Sequence, residues 1–226
     1  MNNRKPRICV IGLGQFGHHL AVELAKECEV LAIDNSQALI NAIGDQVHHA
    51  YCLDSRDYTS LASVIGPDFD YAVVAMAESM ESSILTVLHL KKMKLRHIYA
   101  KAINHDHAEI LRSIGADSIV FPERETANRL AAQLVNRNLL DFIPLSDDYM
   151  VMQITPPDWA FGKTLLELDL RKRFGIFVIA VKEHVPEHTS FLPGPDFLIK
   201  DSDALLVIGQ KGSLEILENS PDPFSA

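Results

Sequence analysis

Three glycines and an acid near the start of the chain have the types and spacing of a nucleotide-binding site. Gly12, Gly14 and Gly17 follow an apolar run in the pattern G-x-G-x-x-G, and Asp34 ends the next apolar run. The first glycine permits a tight turn, the second lets phosphate oxygens approach the backbone, and the third lets a helix pack closely on a strand. An acid about 20 residues further on accepts hydrogen bonds from ribose hydroxyls, which disfavours NADP.

The same glycines have a second interpretation, a turn of an α/β domain that binds nothing. That interpretation leaves Asp34 at the end of a strand without a task. The amino end of the helix that follows the glycines offers free N–H groups to an anion. Binding of an adenine nucleotide is therefore the favoured prediction.

Further candidate contacts follow the other predicted strands, because ligands of a doubly wound sheet lie beyond the carboxyl ends of its strands. Asp54 suits an adenine amino group or a ribose, although it suits a helix cap equally well, and Lys101 offers a cation for phosphates. Glu123 would repel phosphates unless a divalent cation lay between them, so we predict a metal contact there. The predicted cofactor contacts are Gly12, Leu13, Gly14, Gln15, Phe16, Gly17, Asp34, Asn35, Asp54, Ser55, Ala75, Met76, Ala77, Glu78, Lys101 and Glu123.

No set of side chains for chemical turnover stands out. His184 and His188 have a metal-like spacing, but Pro186 between them prevents a continuous helix. An oxidoreductase needs a general acid or base and a substrate pocket beside its cofactor. We therefore predict no catalytic residues and binding without turnover, with an NAD-dependent oxidoreductase that has a small substrate domain as the alternative.

Composition narrows the class of protein. The 226 residues are 47% hydrophobic and 23% charged, with a formal net charge of −9, so a nucleic-acid partner is not expected. No apolar run approaches the ~18 residues of a membrane span, and the polar opening does not resemble a signal peptide, so a cytoplasmic location is expected. Cys9, Cys28 and Cys52 are predicted to be reduced and structural.

The elements that must position the candidate residues alternate between apolar strands and amphipathic helices, which is typical of a parallel sheet covered on both faces. The fold class predicted is α/β, with a Rossmann-like doubly wound sheet of six strands. The strands are predicted near residues 7–11, 30–33, 47–51, 71–75, 97–101 and 118–121. The helices are predicted to begin near Phe16, Ser36, Asp57, Met80, His105 and Arg124.

The patterning changes after Pro144, where Asp147 and Asp148 interrupt it. We assign residues 1–142 to the nucleotide-binding domain, including a crossover helix, and residues 143–226 to a smaller α+β lobe. Strands of that lobe are predicted near residues 149–155, 177–182 and 204–208. The crossover helix has an apolar stripe that packs either on its own domain or on a second chain. The stripe consists of Ala127, Leu130, Ala131, Leu134 and Val135.

An ordered set of motifs resembles the RCK family, the regulators of potassium conductance, in the KtrA and TrkA type of cytosolic regulatory subunit. The first group lies at residues 10–17, 32–34, 74–76, 100–102, 114–117 and 121–123. The second group lies at residues 168–175, 178–182 and 201–209 and is similar to the C-terminal lobe of that family. The resemblance covers nearly the whole chain.

The resemblance implies a homodimer, commonly joined into an octameric ring, beneath a separate membrane-embedded potassium channel or transporter. It implies that ATP or ADP, or in some relatives NAD(H), binds the N-terminal lobe and changes the shape of the ring. The phosphate loop of the family falls on residues 12–17, its ribose acid on Asp34, and its Mg²⁺- or Ca²⁺-linked acid on Glu123. An adaptor for a different transporter is a third alternative.

Two parts of the resemblance differ in strength. Many relatives carry an arginine where this chain has Gln15, and glutamine brings no charge to terminal phosphates, so ATP, ADP, AMP and NAD(H) all remain candidates. Some relatives bind cyclic di-AMP in the C-terminal lobe, at positions that correspond to Leu170, Arg171 and Phe177. A basic run such as 171–173 is more often a solvated helix end or a subunit salt bridge, and that interpretation is the favoured one.

Overall fold

The computed structural model describes residues 4–76, 79–135, 139–210, 212–213, 216–217 and 220. They divide into two compact units between Glu123 and Arg124. The predicted contacts Ala77 and Glu78 lie outside the described residues. Among the helices that are described, none combines the length and the apolar character needed to cross a membrane.

The first unit contains a six-stranded parallel sheet in the order β3-β2-β1-β4-β5-β6. Its strands are β1 (Arg7–Ile11), β2 (Glu29–Asp34), β3 (His49–Cys52), β4 (Tyr71–Val74), β5 (His97–Lys101) and β6 (Ser118–Val120). Its helices are α1 (Gln15–Ala25), α2 (Gln37–Ile43), α3 (Tyr58–Val64), α4 (Met80–Lys92) and α5 (His105–Ile114), with a 3₁₀ turn at Gly44–Gln46. The doubly wound α/β prediction is confirmed.

The alternation of side chains along the central strands explains why this sheet carries helices on both faces. On β1, Cys9 and Ile11 belong to the core that also holds Leu111 of α5, whereas Val10 belongs to the core that holds Ile43 of α2. Parallel strands that are buried on both faces read as continuous apolar runs, as this one does. Burial also raises the pKa of the Cys9 thiol, which fits its predicted role as a small reduced hydrophobe.

The second unit contains a five-stranded antiparallel sheet in the order β10-β9-β11-β8-β7. Its strands are β7 (Leu139–Pro144), β8 (Tyr149–Ile154), β9 (Phe177–His184), β10 (Glu187–Phe191) and β11 (Ala204–Gln210). Its short helices are α7 (Leu165–Leu168) and α8 (Leu170–Phe174), with a 3₁₀ turn at Asp158–Ala160. The lobe is α+β as predicted, but the edge strands β7 and β10 were not predicted.

The structure divides the chain earlier than the predicted boundary between residues 142 and 143, which falls inside β7. Because β7 pairs with β8, it belongs to the second sheet. The division falls within the first turn of the helix α6 (Pro122–Val135). The assignment of separate tasks to residues 1–142 and 143–226 stays a prediction.

The apolar stripe of α6 is exposed, since no residue of that helix is buried. Leu130 is 53% exposed, Leu134 76% and Val135 79%. Of the two predicted interpretations, packing of the stripe on its own domain is therefore wrong for these residues. A contact with a second chain stays a prediction.

Candidate functional site

A cavity of about 410 Å³ lies at the carboxyl ends of the parallel strands in the first unit. It spans the point between β1 and β4 at which the strand order reverses, where doubly wound sheets bind ligands. Twelve predicted contacts line it: Gly12, Gly14, Gln15, Phe16, Asp34, Asn35, Asp54, Ser55, Ala75, Met76, Lys101 and Glu123. The structure shows that these twelve residues line one cavity. Their contact with a nucleotide stays a prediction.

The glycines of the loop after β1 have separate structural reasons. Gly12 has a φ of 94°, and a Cβ there would lie 2.8 Å from the backbone nitrogen of Met76. A Cβ on Gly17 would overlap the carbonyl oxygen of Gly12, so only glycine lets α1 approach the loop this closely. A Cβ on Gly14 would meet no atom within 4 Å, so this glycine faces open space, as phosphate approach requires.

Helix α1 presents its amino end to this cavity. Gly14 occupies its N-cap, and within this fully described helix no side chain caps the amino end and no acid lies in the first turn. Helices carry unpartnered N–H groups and a partial positive charge at this end. The backbone therefore supplies an anion-binding position without a cationic side chain.

Asp34 fixes the glycine loop against β2. Its Oδ2 accepts the N–H of Leu13 at 2.7 Å, and its Oδ1 accepts the N–H of Ser36 at 2.8 Å. An ionised carboxylate has about four acceptor positions, so it retains capacity for ribose hydroxyls. The side chain of Leu13 is buried in the core and does not line the cavity, so it is not available to a ligand.

Asp54 forms a two-pronged ion pair with Arg56, a cavity residue that the sequence analysis missed. The Arg56 Nε lies 3.0 Å from both carboxylate oxygens, and a second guanidinium nitrogen lies 2.6 Å from Oδ2. These bonds from Arg56 hold the pKa of Asp54 below its usual range. The cap of α3 is Asp57, which accepts the Thr59 N–H at 3.0 Å, so the capping alternative for Asp54 is wrong.

Ser55 positions its loop through its side chain. It is 6% exposed, and its hydroxyl lies 2.7 Å from that of Thr86 in α4. This hydroxyl is therefore used in a hydrogen bond within the protein. The other lining residues that were not predicted are Ile11, Ile33, Ser36, Leu39, Leu53, Ser79 and Ser82.

Lys101 and Glu123 form an ion pair at the far side of the cavity. Lys101 is only 8% exposed, and its Nζ lies 5.8 Å from the centroid of the Phe16 ring. The hydrogen bond from Lys101 lowers the pKa of Glu123, whose side chain is 72% exposed. Lys101 thus gives Glu123 a cationic partner that the sequence analysis did not foresee.

Among the described residues, the cavity offers few side-chain ligands for a divalent cation. No group of three or more His, Cys, Asp or Glu side chains converges for a metal among the described residues. Mg²⁺ accepts one or two carboxylates together with substrate phosphates. Glu123 therefore fits a cation only as a companion of bound phosphate, and its metal contact stays a prediction.

His107 has a structural role in α5, and His184 and His188 lie on neighbouring strands of the second unit. His107 is buried, accepts the Ile103 N–H at Nδ1 and lies with Nε2 2.8 Å from the Ser83 hydroxyl. Burial lowers the pKa of His107. His184 is opposite Glu187 and His188 is opposite Glu183, so the two rings lie on opposite faces of the β9–β10 pair and cannot share a metal.

The three residues predicted to bind cyclic di-AMP lie in the second unit and differ in their exposure to solvent. Leu170 is buried in the core of that unit, so its side chain is not available to a ligand. The Arg171 guanidinium lies 5.9 Å from the ring centroid of Phe177, which is 48% exposed. A role for Arg171 and Phe177 toward this second messenger stays a prediction.

Comparison with protein families identifies the chain. The TrkA-N domain matches residues 8–122, and the TrkA-C domain matches residues 149–220. The chain belongs to the TrkA-type RCK family. This result confirms the resemblance inferred from the ordered motifs.

Two relatives from Bacillus subtilis (strain 168) match along nearly their whole length. Ktr system potassium uptake protein A is 32% identical over 217 residues, which cover 96% of this chain and 97% of the relative. Ktr system potassium uptake protein C is 37% identical over 206 residues, which cover 91% of this chain and 92% of the relative.

Solved structures have the same fold at low sequence identity. The GsuK channel superposes with a TM-score of 0.69 at 18% identity, covering 98% of this chain and 41% of the channel chain. A GsuK channel bound to NAD superposes with a TM-score of 0.63 at 18% identity, covering 98% of this chain and 41% of that chain. This chain therefore spans less than half of those channel chains.

Proposed function

We propose that this protein is a nucleotide-sensing regulatory subunit of a potassium uptake channel or transporter. It binds an adenine nucleotide in the first unit without turning it over. The observation that carries the proposal is the cavity at the strand-order reversal, with open space at Gly14 and the acceptor Asp34 beside it. The Ktr potassium uptake relatives support the biological setting.

Within this proposal each part of the cavity has one task. The amino end of α1 and the backbone at Gly14 hold phosphate, and the free acceptor positions of Asp34 hold the ribose hydroxyls. Asp54 accepts the adenine amino group, while Arg56 keeps that carboxylate ionised and fixed. The structure of a GsuK channel bound to NAD supports adenine-dinucleotide recognition on this fold.

The partner is a membrane-embedded potassium channel or transporter, and the subunit acts from the cytoplasmic face of the membrane as a homo-oligomer. The exposed stripe of α6 supports self-association, since Leu134 and Val135 are more than three-quarters exposed in the single chain. A ligand shifts a ring between two shapes only if it binds them with different affinity. The terminal phosphate, with or without Mg²⁺ or Ca²⁺, is the proposed source of that difference.

Titration calorimetry tests the proposal on the full chain with ATP, ADP, AMP and NADH. We expect at least one of these ligands to bind. Asp34→Ala should raise the dissociation constant of each ligand that binds by about 10-fold or more, because the ribose loses hydrogen bonds to a charged group. Asp45→Ala is the matched control, since Asp45 is exposed in the turn after α2 and does not line the cavity.

Two further measurements on the same sample can contradict the proposal. Chromatography after incubation should return the nucleotide intact, and light scattering should give a mass of a dimer or larger. Steady conversion of the nucleotide would favour an enzyme, and a monomer that ignores all four ligands would exclude a ring-forming sensor.

A further inference from the structure

The side-chain charges around the cavity nearly cancel. The described lining residues include three acids, Asp34, Asp54 and Glu123, and two bases, Arg56 and Lys101. Each base is committed, since Arg56 pairs with Asp54 and Lys101 pairs with Glu123. The described lining therefore carries one net negative charge before any phosphate enters.

The ion pair of Lys101 and Glu123 lies where the distal part of a ligand would be. In a doubly wound sheet one half of a dinucleotide lies over the strands on each side of the reversal point. Lys101 ends β5 and Glu123 follows β6, so both belong to the half opposite Asp34, which ends β2. In this half the only lysine or arginine among the described lining residues is the one already neutralised by a carboxylate.

The phosphate loop itself adds little positive charge. Gln15, the first residue of α1, is neutral, and the amino end of a helix is equivalent to about half an elementary charge. That suffices for phosphates that touch the loop, but charge further along the ligand meets no unpaired lysine or arginine among the described lining residues. ATP bears more negative charge than ADP, and the phosphates of NADH are diesters that bear less charge than a terminal phosphate.

We propose that this cavity discriminates among adenine nucleotides by their phosphate charge, so that metal-free ATP binds more weakly than ADP or NADH. The inference rests on the proposed function, since it concerns the same site. A divalent cation that accompanies ATP offsets its charge, so adding the cation narrows the difference. The Lys101–Glu123 pair is the element that sets the preference, because it places a carboxylate next to the single lysine or arginine that the described lining has on that side.

Calorimetry of the full chain with ADP, NADH and ATP in the presence of EDTA tests the ranking. We expect metal-free ATP to bind about 10-fold more weakly than ADP, a difference of about 1.4 kcal/mol. Repeating the ATP titration with Mg²⁺ should reduce the difference. Metal-free ATP that binds as tightly as ADP, or more tightly, overturns the inference.

Two variants assign the effect to this pair and this loop. Glu123→Gln frees Lys101 and removes one negative charge, so the ratio of the ATP and ADP dissociation constants should fall about fivefold. Gln15→Arg adds a cation at the loop and should reduce the same ratio. Asp45→Asn is the charge-matched control, because Asp45 lies in the turn that precedes β3, at the opposite edge of the sheet, and should leave the ratio unchanged.

The outcomes separate the inference from the function on which it depends. A ratio that Glu123→Gln leaves unchanged, or that Asp45→Asn changes equally, overturns the assignment to the ion pair while nucleotide binding stands. Failure of all three ligands to bind, with and without Mg²⁺, overturns the proposed function and the inference together.

Discussion

The two units of this protein arrange their loops in opposite ways. The strands of the first unit are all parallel, so every loop that leaves a strand at its carboxyl end reaches the same edge of the sheet. The strands of the second unit are antiparallel, so successive loops reach opposite ends. Residues far apart in sequence, such as Asp34 and Glu123, therefore line the same cavity of the first unit.

The same comparison shows different uses of apolar surface. The central strands of the first unit are buried on both faces, as Val10 and Ile11 illustrate with no exposed area. The edges of the second sheet leave large apolar side chains in solvent, since Ile143 is 63% and Phe191 is 74% exposed. A sheet covered on both faces can hold a precise ligand cavity, whereas open edges leave surface available to other molecules.

The largest effect is expected in the core of the second unit. Leu205→Ala removes a side chain that is 1% exposed, so we expect the free energy of unfolding to fall by about 3 kcal/mol. Urea unfolding followed by the fluorescence of Trp159, the single tryptophan, measures it, because this ring stacks on Phe174 in the same unit. Leu166→Ala, at a 71% exposed position, should change stability by less than about 0.5 kcal/mol. Equal effects of the two variants would contradict the core assignment.

A smaller effect is expected at the glycine loop of the first unit. Gly17→Ala places a Cβ against the Gly12 carbonyl oxygen, and we expect a loss of about 2 kcal/mol from the displaced helix. Circular dichroism during urea unfolding measures it. Gly14→Ala is the control, since its Cβ meets nothing within 4 Å and it should cost less than about 1 kcal/mol. If Gly14→Ala were the more destabilising of the two, the packing argument for Gly17 would be wrong.

The smallest effect is the dependence of stability on pH, which is expected to differ between the two units. Burial lowers the pKa of His107, so the unfolded chain binds a proton at an ordinary value of 6.5 that the folded chain resists. The contribution is therefore complete well above pH 6.5 and is lost as the pH falls below that value, with a slope of at most about 1.4 kcal/mol per pH unit for one group. In the second unit, the hydrogen bond from Lys200 lowers the pKa of Glu183, whose contribution is lost only below its ordinary value of 4.5.

Urea unfolding at pH 7.5, 6.5 and 5.5 measures this dependence. His107→Gln should reduce the loss between pH 6.5 and 5.5, even if it lowers stability at every pH. Glu183→Gln should leave that loss unchanged. An unaltered slope in His107→Gln would show that another group carries the acid sensitivity.

The parallel sheet could be predicted from sequence because its signal is local. Apolar runs such as Val10 and Ile11 before a glycine turn mark a strand end, and strand ends mark the cavity edge. The edge strand β10 could not be predicted, because His188, Thr189 and Ser190 are polar and show no apolar alternation. Only the antiparallel pairing with β9 identifies these residues as a strand. Similarly, β7 is assigned to the second sheet only by its pairing with β8.

The cavity shows the same division between local and spatial information. Twelve predicted contacts line it because they follow strands in a known order. Arg56 was missed because its importance comes from the ion pair with Asp54, although a base two residues after a candidate acid was a usable signal. The burial of the Leu13 side chain in the core could not be predicted from the spacing of the glycines alone.

The exposed thiol of Cys52 has a practical consequence for work on this protein. Cys52 ends β3, and its Sγ lies 3.6 Å from the carbonyl oxygen of Asn35, which lines the cavity, whereas Cys9 is fully buried. Thiolate character and access govern alkylation, so a maleimide dye reacts with Cys52 in preference to Cys9. Cys28 is half-buried, so Cys52 provides the exposed attachment point for a fluorescent reporter, next to a residue that lines the cavity.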